Sequence, residues 1–79
     1  MSAKFNTDLE GFKRMVATLG KAITDGLPDD AIEAGFKCVT IHYFYFDGSP
    51  ADIIIVRSYF NWAARRYLDY SVRQELAAQ

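Results

Sequence analysis

The amino-acid sequence predicts a single small α+β domain of order helix, short helix, strand, strand, helix, with an antiparallel β-hairpin packed against the two main helices. Three observations carry that expectation. Apolar residues recur at helical spacing as far as residue 25, a β-branched and aromatic block fills residues 37–46, and helix-forming residues return from residue 59.

Residues 1–6 read as a loose lead-in. Thr7-Asp8-Leu9-Glu10 fits a capping box, in which the Thr7 hydroxyl accepts from the Glu10 N–H and Glu10 reaches back. Leu9, Phe12, Val16, Leu19 and Ile23 then share one face, widened by Met15 and Ala22, so a first helix is expected over 8–25. Lys13 falls on its solvated, mixed-charge side. Gly26 suits the position after the end of that helix, and Pro28 prevents its continuation. Pro28 to Gly35 reads as a short helix with Asp29 and Asp30 in its first turn, an acidic docking loop being the alternative.

Lys37 to Phe46 has strand chemistry, Asp47-Gly48-Ser49-Pro50-Ala51 is a turn cluster, and residues 52–57 form the returning strand. Alternation puts Val39, Ile41, Tyr43 and Tyr45 on one face with Ile53 and Ile55. Cys38, Thr40, His42, Phe44 and Phe46 share the other with Ile54 and Val56. Both faces are largely apolar, whereas an antiparallel hairpin in a monomer usually keeps one polar. Two covers are expected for the second face: the short helix with the N-terminal arm, or a second copy joined through the hairpin in a homodimer.

Ser58 is the expected cap of a last helix over 59–77. At 100° per residue Phe60, Ala64, Tyr67, Leu68 and Ser71 cluster on its core side. The expected core is Phe12, Val16, Leu19, Ile41, Ile55, Phe60, Ala64 and Leu68. Roughly opposite lie Tyr59, Trp62, Arg66, Asp69, Tyr70 and Arg73. Trp, Tyr and Arg are enriched among binding hot spots. Tyr59, Trp62, Arg66, Tyr70 and Arg73, with Tyr43 and Tyr45 of the hairpin, are therefore the candidate partner-binding residues.

Composition narrows the function classes. The 79 residues allow one core, and 51% hydrophobic content is too apolar for a disordered chain. A chain that opens on Met1 reads as a complete product. Nine basic against ten acidic residues give a formal charge of −1, without the basic excess that phosphate neutralisation favours. Nucleic-acid binding is the alternative function: Tyr43 and Tyr45 would stack bases while Arg57, Arg65, Arg66 and Arg73 contact phosphates. Asp29, Asp30, Glu33, Asp47 and Asp52 weigh against it.

Cys38 and His42 invite a nucleophile–base reading. On a strand, however, four residues span about 13 Å, against the roughly 3 Å that a working dyad requires. One Cys and one His do not make a zinc site, no calcium loop or phosphate-binding glycine loop is present, and no cofactor is implied. The single cysteine allows no internal disulfide, no basic-then-apolar leader opens the chain, and the longest aliphatic run, Ile53 to Val56, is far too short for a membrane helix. A cytoplasmic location is expected. The expected function is a non-catalytic protein-binding module, a small inhibitor or adaptor of the kind that phages and other mobile elements encode.

Overall fold

The computed structural model describes residues 7–79, which form three helices: α1 (Leu9–Asp25), α2 (Asp29–Phe44) and α3 (Pro50–Ala77). There is no strand among the described residues. The α+β expectation, the hairpin of 37–46 with 52–57 and the helix start after Ser58 are all overturned. The expected lead-in, 1–6, lies outside the described residues.

α1 follows its sequence closely. Its cap is Asp8 rather than Thr7: the Asp8 carboxylate accepts from the Gly11 N–H at 2.8 Å. Its end is a Schellman turn. Gly26 adopts the left-handed conformation (φ 72°) and donates to the Ile23 carbonyl, while Leu27 donates to Ala22. Phe12, Val16, Leu19 and Ile23 are buried, as their spacing predicts.

α2 fuses the expected short helix and the expected first strand. Ile32, Phe36, Val39 and Tyr43 stand four, three and four residues apart, which is one continuous stripe on a helix. Ile32 and Val39 are fully buried, while Phe36 and Tyr43 pack against the core from its edge. Burying that stripe outweighs the modest strand preference of the Val-Thr-Ile and Tyr-Phe-Tyr-Phe segments, because propensity differences are well below 1 kcal/mol per residue. Pro28 and the acids Asp29 and Asp30 open the helix as expected. Thr40 turns its hydroxyl back to donate to the Phe36 carbonyl at 2.9 Å, so its polar atom is satisfied within the helix.

The turn cluster is real, but it joins two helices. Ser49 caps α3, accepting from the Asp52 N–H at 3.2 Å, and Pro50 occupies the first turn, where its missing donor costs nothing. Residues 26–28 and 45–49 are the only links between helices.

α1 and α3 run in the same direction, with Gly20 beside Trp62 and Thr24 beside Arg66. α2 returns between them, with Phe36 against Tyr67 and Tyr43 against Phe60. The core line of α3 is Val56, Ala63 and Tyr70, at heptad spacing. To one side of it Tyr59, Trp62 and Arg66 face α1; to the other Phe60 and Tyr67 face α2. That geometry corrects the expected core. Ile41, Ile55 and Leu68 are exposed, Phe60 and Ala64 are partly buried, and Tyr70 is core rather than solvent-facing. Two helices, not one sheet face, divide the surface of α3, so its buried line falls between the two faces that the sequence suggested. α3 is about 42 Å long at 1.5 Å per residue, which accounts for the 44 Å length of the molecule.

Candidate partner-binding groove between α1 and α3

Gly20 is buried where α1 meets α3. A Cβ there would stand 3.0 Å from Cη2 of Trp62, so the absence of a side chain lets the indole lie against the helix. Trp62 remains 47% exposed. Its other neighbour is Arg66, whose guanidinium carbon sits 5.0 Å from the ring centroid while Nη2 donates to the Thr24 hydroxyl at 3.1 Å. One turn earlier the Lys13 ammonium stands 5.8 Å from the Tyr59 ring centroid and 3.4 Å from a Glu10 oxygen. These contacts frame an apolar groove of about 370 Å³ lined by Lys13, Val16, Ala17, Ser58, Tyr59 and Trp62. Cations over aromatic faces are held at a cost in mobility but keep free N–H donors. The groove therefore offers an apolar floor edged by Arg66 and by the Lys13–Glu10 ion pair.

Of the expected binding residues, the structure brings together Tyr59, Trp62 and Arg66. It separates the other four. Arg73 is exposed on α3 beyond the end of α1 and does not line the groove. Tyr43 stacks on Phe60 at 4.2 Å in the α2–α3 seam, and Tyr45 is exposed at the end of α2. Tyr70 is buried and donates a hydrogen bond to the Asp29 carboxylate at the start of α2. That bond, with burial and the negative charge of Asp29 behind it, pushes the Tyr70 phenol up to about 12. Tyr70 thus ties α3 to the start of α2.

Sequence reasoning missed Lys13, Val16, Ala17, Gly20 and Ser58. The signal that points to them is Gly20 itself: a glycine inside a strong helical pattern costs about 1 kcal/mol relative to Ala, and close approach of a large ring explains it.

The α2–α3 seam holds a ladder of rings. Tyr67 stacks on Phe36 at 4.4 Å and Tyr43 on Phe60 at 4.2 Å, with Phe36 and Phe60 6.1 Å apart. One face of Tyr43 is therefore covered by Phe60. The arginines diverge as well: Arg66 turns to α1, and Arg65 stands 3.8 Å from Asp69.

Cys38 and His42 are not separated by the roughly 13 Å that a strand would impose. On α2 they lie one turn apart, with Sγ 3.7 Å from Nδ1. The same Nδ1 is 2.9 Å from the Cys38 carbonyl oxygen. A proton on Nδ1 is donated to that carbonyl, and the nitrogen then has no lone pair with which to accept from the thiol. The described residues contain no group of three or more His, Cys, Asp or Glu side chains placed to hold a metal ion. None of the described helices is long and apolar enough to cross a membrane.

No family model, curated protein or solved structure matches the chain. The expectations of an inhibitor and of a phage-type origin accordingly draw no support from any relative.

Proposed function

We propose that this protein is a non-catalytic protein-binding module that seats an apolar side chain of a partner protein, flanked by carboxylates, in the α1–α3 groove. The observation that carries this reading is the half-exposed Trp62 on an apolar floor with Lys13 and Arg66 at its edges. Covering the indole and the groove floor supplies apolar burial at small side-chain entropy cost, because the ring is already fixed by Gly20 and Arg66. The two cations then favour acidic neighbours of the anchor. The pattern Trp, Tyr and Arg around one depression is that of a binding hot spot.

Selection from a random peptide library tests it. Wild-type protein should enrich peptides with Leu, Ile or Phe beside Asp or Glu, and those peptides should shift the fluorescence of Trp62, the one tryptophan of the chain. Trp62→Ala should lose them by more than about 1 kcal/mol, a typical hot-spot loss. Selected peptides that bind Trp62→Ala as well as wild type would defeat the assignment. Nuclease-sensitive retention of nucleic acid by the pure protein would turn the reading to the alternative.

A further inference from the structure

A second surface runs along α3 on the other side from Trp62. Arg57, Asn61, Ala64, Leu68, Ser71 and Glu75 are spaced by four, three, four, three and four residues, so they form one stripe roughly 27 Å long. Arg57, Asn61, Leu68 and Glu75 are exposed, Ala64 and Ser71 half-buried. Leu68 is 57% exposed, and the stripe is flanked by the exposed apolar residues Ile54, Val72 and, from α2, Phe44. Phe44 is placed on this side by its edge contact with Phe60.

The order of the stripe is self-complementary when reversed. Laying two copies antiparallel about a two-fold axis that crosses the stripe midway between Ala64 and Leu68 sets Arg57 opposite Glu75, Asn61 opposite Ser71, and Ala64 opposite Leu68, each twice. Charge meets charge, amide meets hydroxyl, and a small side chain meets a large one. A parallel pairing would set each residue on its own copy, with Arg57 against Arg57 and Glu75 against Glu75. Neither Arg57 nor Glu75 has an ionic partner among the described residues. Glu75 also shares a groove of about 340 Å³ with Asp29 and Glu33, so the end that would receive Arg57 of the second copy is acidic.

We propose that the protein forms a two-fold homodimer through this face, α3 packing antiparallel on α3 in the register that joins Arg57 to Glu75. The hairpin that the sequence suggested for self-association does not exist; the helical stripe takes its place. The alternating four- and three-residue spacing is the seam of an antiparallel helix pair, and the terminal charge pairs select its orientation. Because the stripe and the α1–α3 groove face different ways, the dimer would carry two open grooves and requires nothing of their function.

Sedimentation equilibrium of the full chain at micromolar concentration tests this. Wild type should be dimeric. Arg57→Glu and Glu75→Arg should each raise the dissociation constant by about tenfold or more, since each reversal places like charges at two symmetric contacts. The double exchange R57E/E75R should restore dimerisation in part, because Asp29 and Glu33 still border position 75. Both positions are exposed on α3, and position 75 lies in its last turn, where a base is favourable; retention of the fold is checked by ellipticity. Should a reversal fail to fold, Arg57→Gln and Glu75→Gln read the same loss without repulsion. A monomeric wild type, single variants that dimerise as wild type does, or a double exchange that does not recover would each overturn the proposal.

Discussion

Ile32 and Ile41 lie on the same helix and distinguish a helical α2 from a strand with a single pair of substitutions. Ile32 is 0% exposed and Ile41 38%. Trimming Ile to Ala removes three carbons, roughly 2.4 kcal/mol in transfer free energy when fully buried. At Ile32 an enclosed cavity adds to that, so Ile32→Ala should cost about 3–5 kcal/mol. At Ile41 the burial lost is partial and the site is open to water, so the transfer loss falls to roughly 1.5 kcal/mol without a cavity. Ala is the better helix former at both positions by the same few tenths, which cancels in the comparison. Urea unfolding followed by ellipticity should therefore place Ile32→Ala at a midpoint about 1 M or more below Ile41→Ala, taking a slope near 1 kcal/mol/M. An Ile32→Ala chain already unfolded without urea meets the same expectation. Equal losses at the two positions would refute the helical face of α2, since a strand would have put Ile41 in the core.

Four further outcomes follow from the geometry. The Tyr70 phenol is raised by Asp29 from 10.0 to about 12, so its contribution to stability is complete below pH 10 and lost as the pH climbs from there towards 12; subtracting the absorbance titration of Tyr70→Phe from that of wild type should leave a step near the upper value, and a step at 10 would contradict it. Gly20→Ala brings a methyl to 3.0 Å from the Trp62 ring, so the indole should tilt outward, with altered fluorescence and weaker peptide capture, while the helix propensity gain holds the stability change within about 1 kcal/mol; unchanged fluorescence would show that the ring does not rest there. Asp8→Ala should lower stability by about 1 kcal/mol and Thr7→Ala much less, and the opposite ranking in thermal melts would return the cap to Thr7. Cys38→Ser should keep full peptide affinity, because the thiol lies outside the groove; a folded variant without binding would put Cys38 in the binding surface.

α1 was legible because each signal in it agrees. The stripe Phe12, Val16, Leu19 and Ile23, Glu10 in the first turn and Gly26 with Pro28 all describe one helix. The middle of the chain was not, because two levels of signal conflict there. Val39, Thr40 and Ile41 favour strands locally, yet Ile32, Phe36, Val39 and Tyr43 keep helical spacing through them, and the long-range packing prevails. The apolar character of both supposed strand faces was the visible symptom. Ser49-Pro50-Ala51-Asp52 is likewise a helix start as much as a turn, with cap, first-turn proline and acid in sequence. Misplacing that start by nine residues hid Val56, and packing against two helices rather than one sheet face put Tyr70 in the interior and left Leu68 outside. Tyr59, Trp62 and Arg66 were legible from residue type alone, but the groove they line needed α1, and residues of another helix are not recoverable from spacing within α3.

The two short links set the order in which the chain can assemble. Residues 26–28 join α1 to α2 and residues 45–49 join α2 to α3, so each antiparallel helix pair closes a small loop. The contact of Thr24 with Arg66 instead spans 42 residues. Loop-closure entropy grows with separation, and chains dominated by neighbouring contacts fold within microseconds to milliseconds. Helix pairs should thus form early and the α1–α3 groove last. Changes around Trp62 would then act on how fast the molecule opens and scarcely on how fast it folds, and an occupant of the groove would slow unfolding.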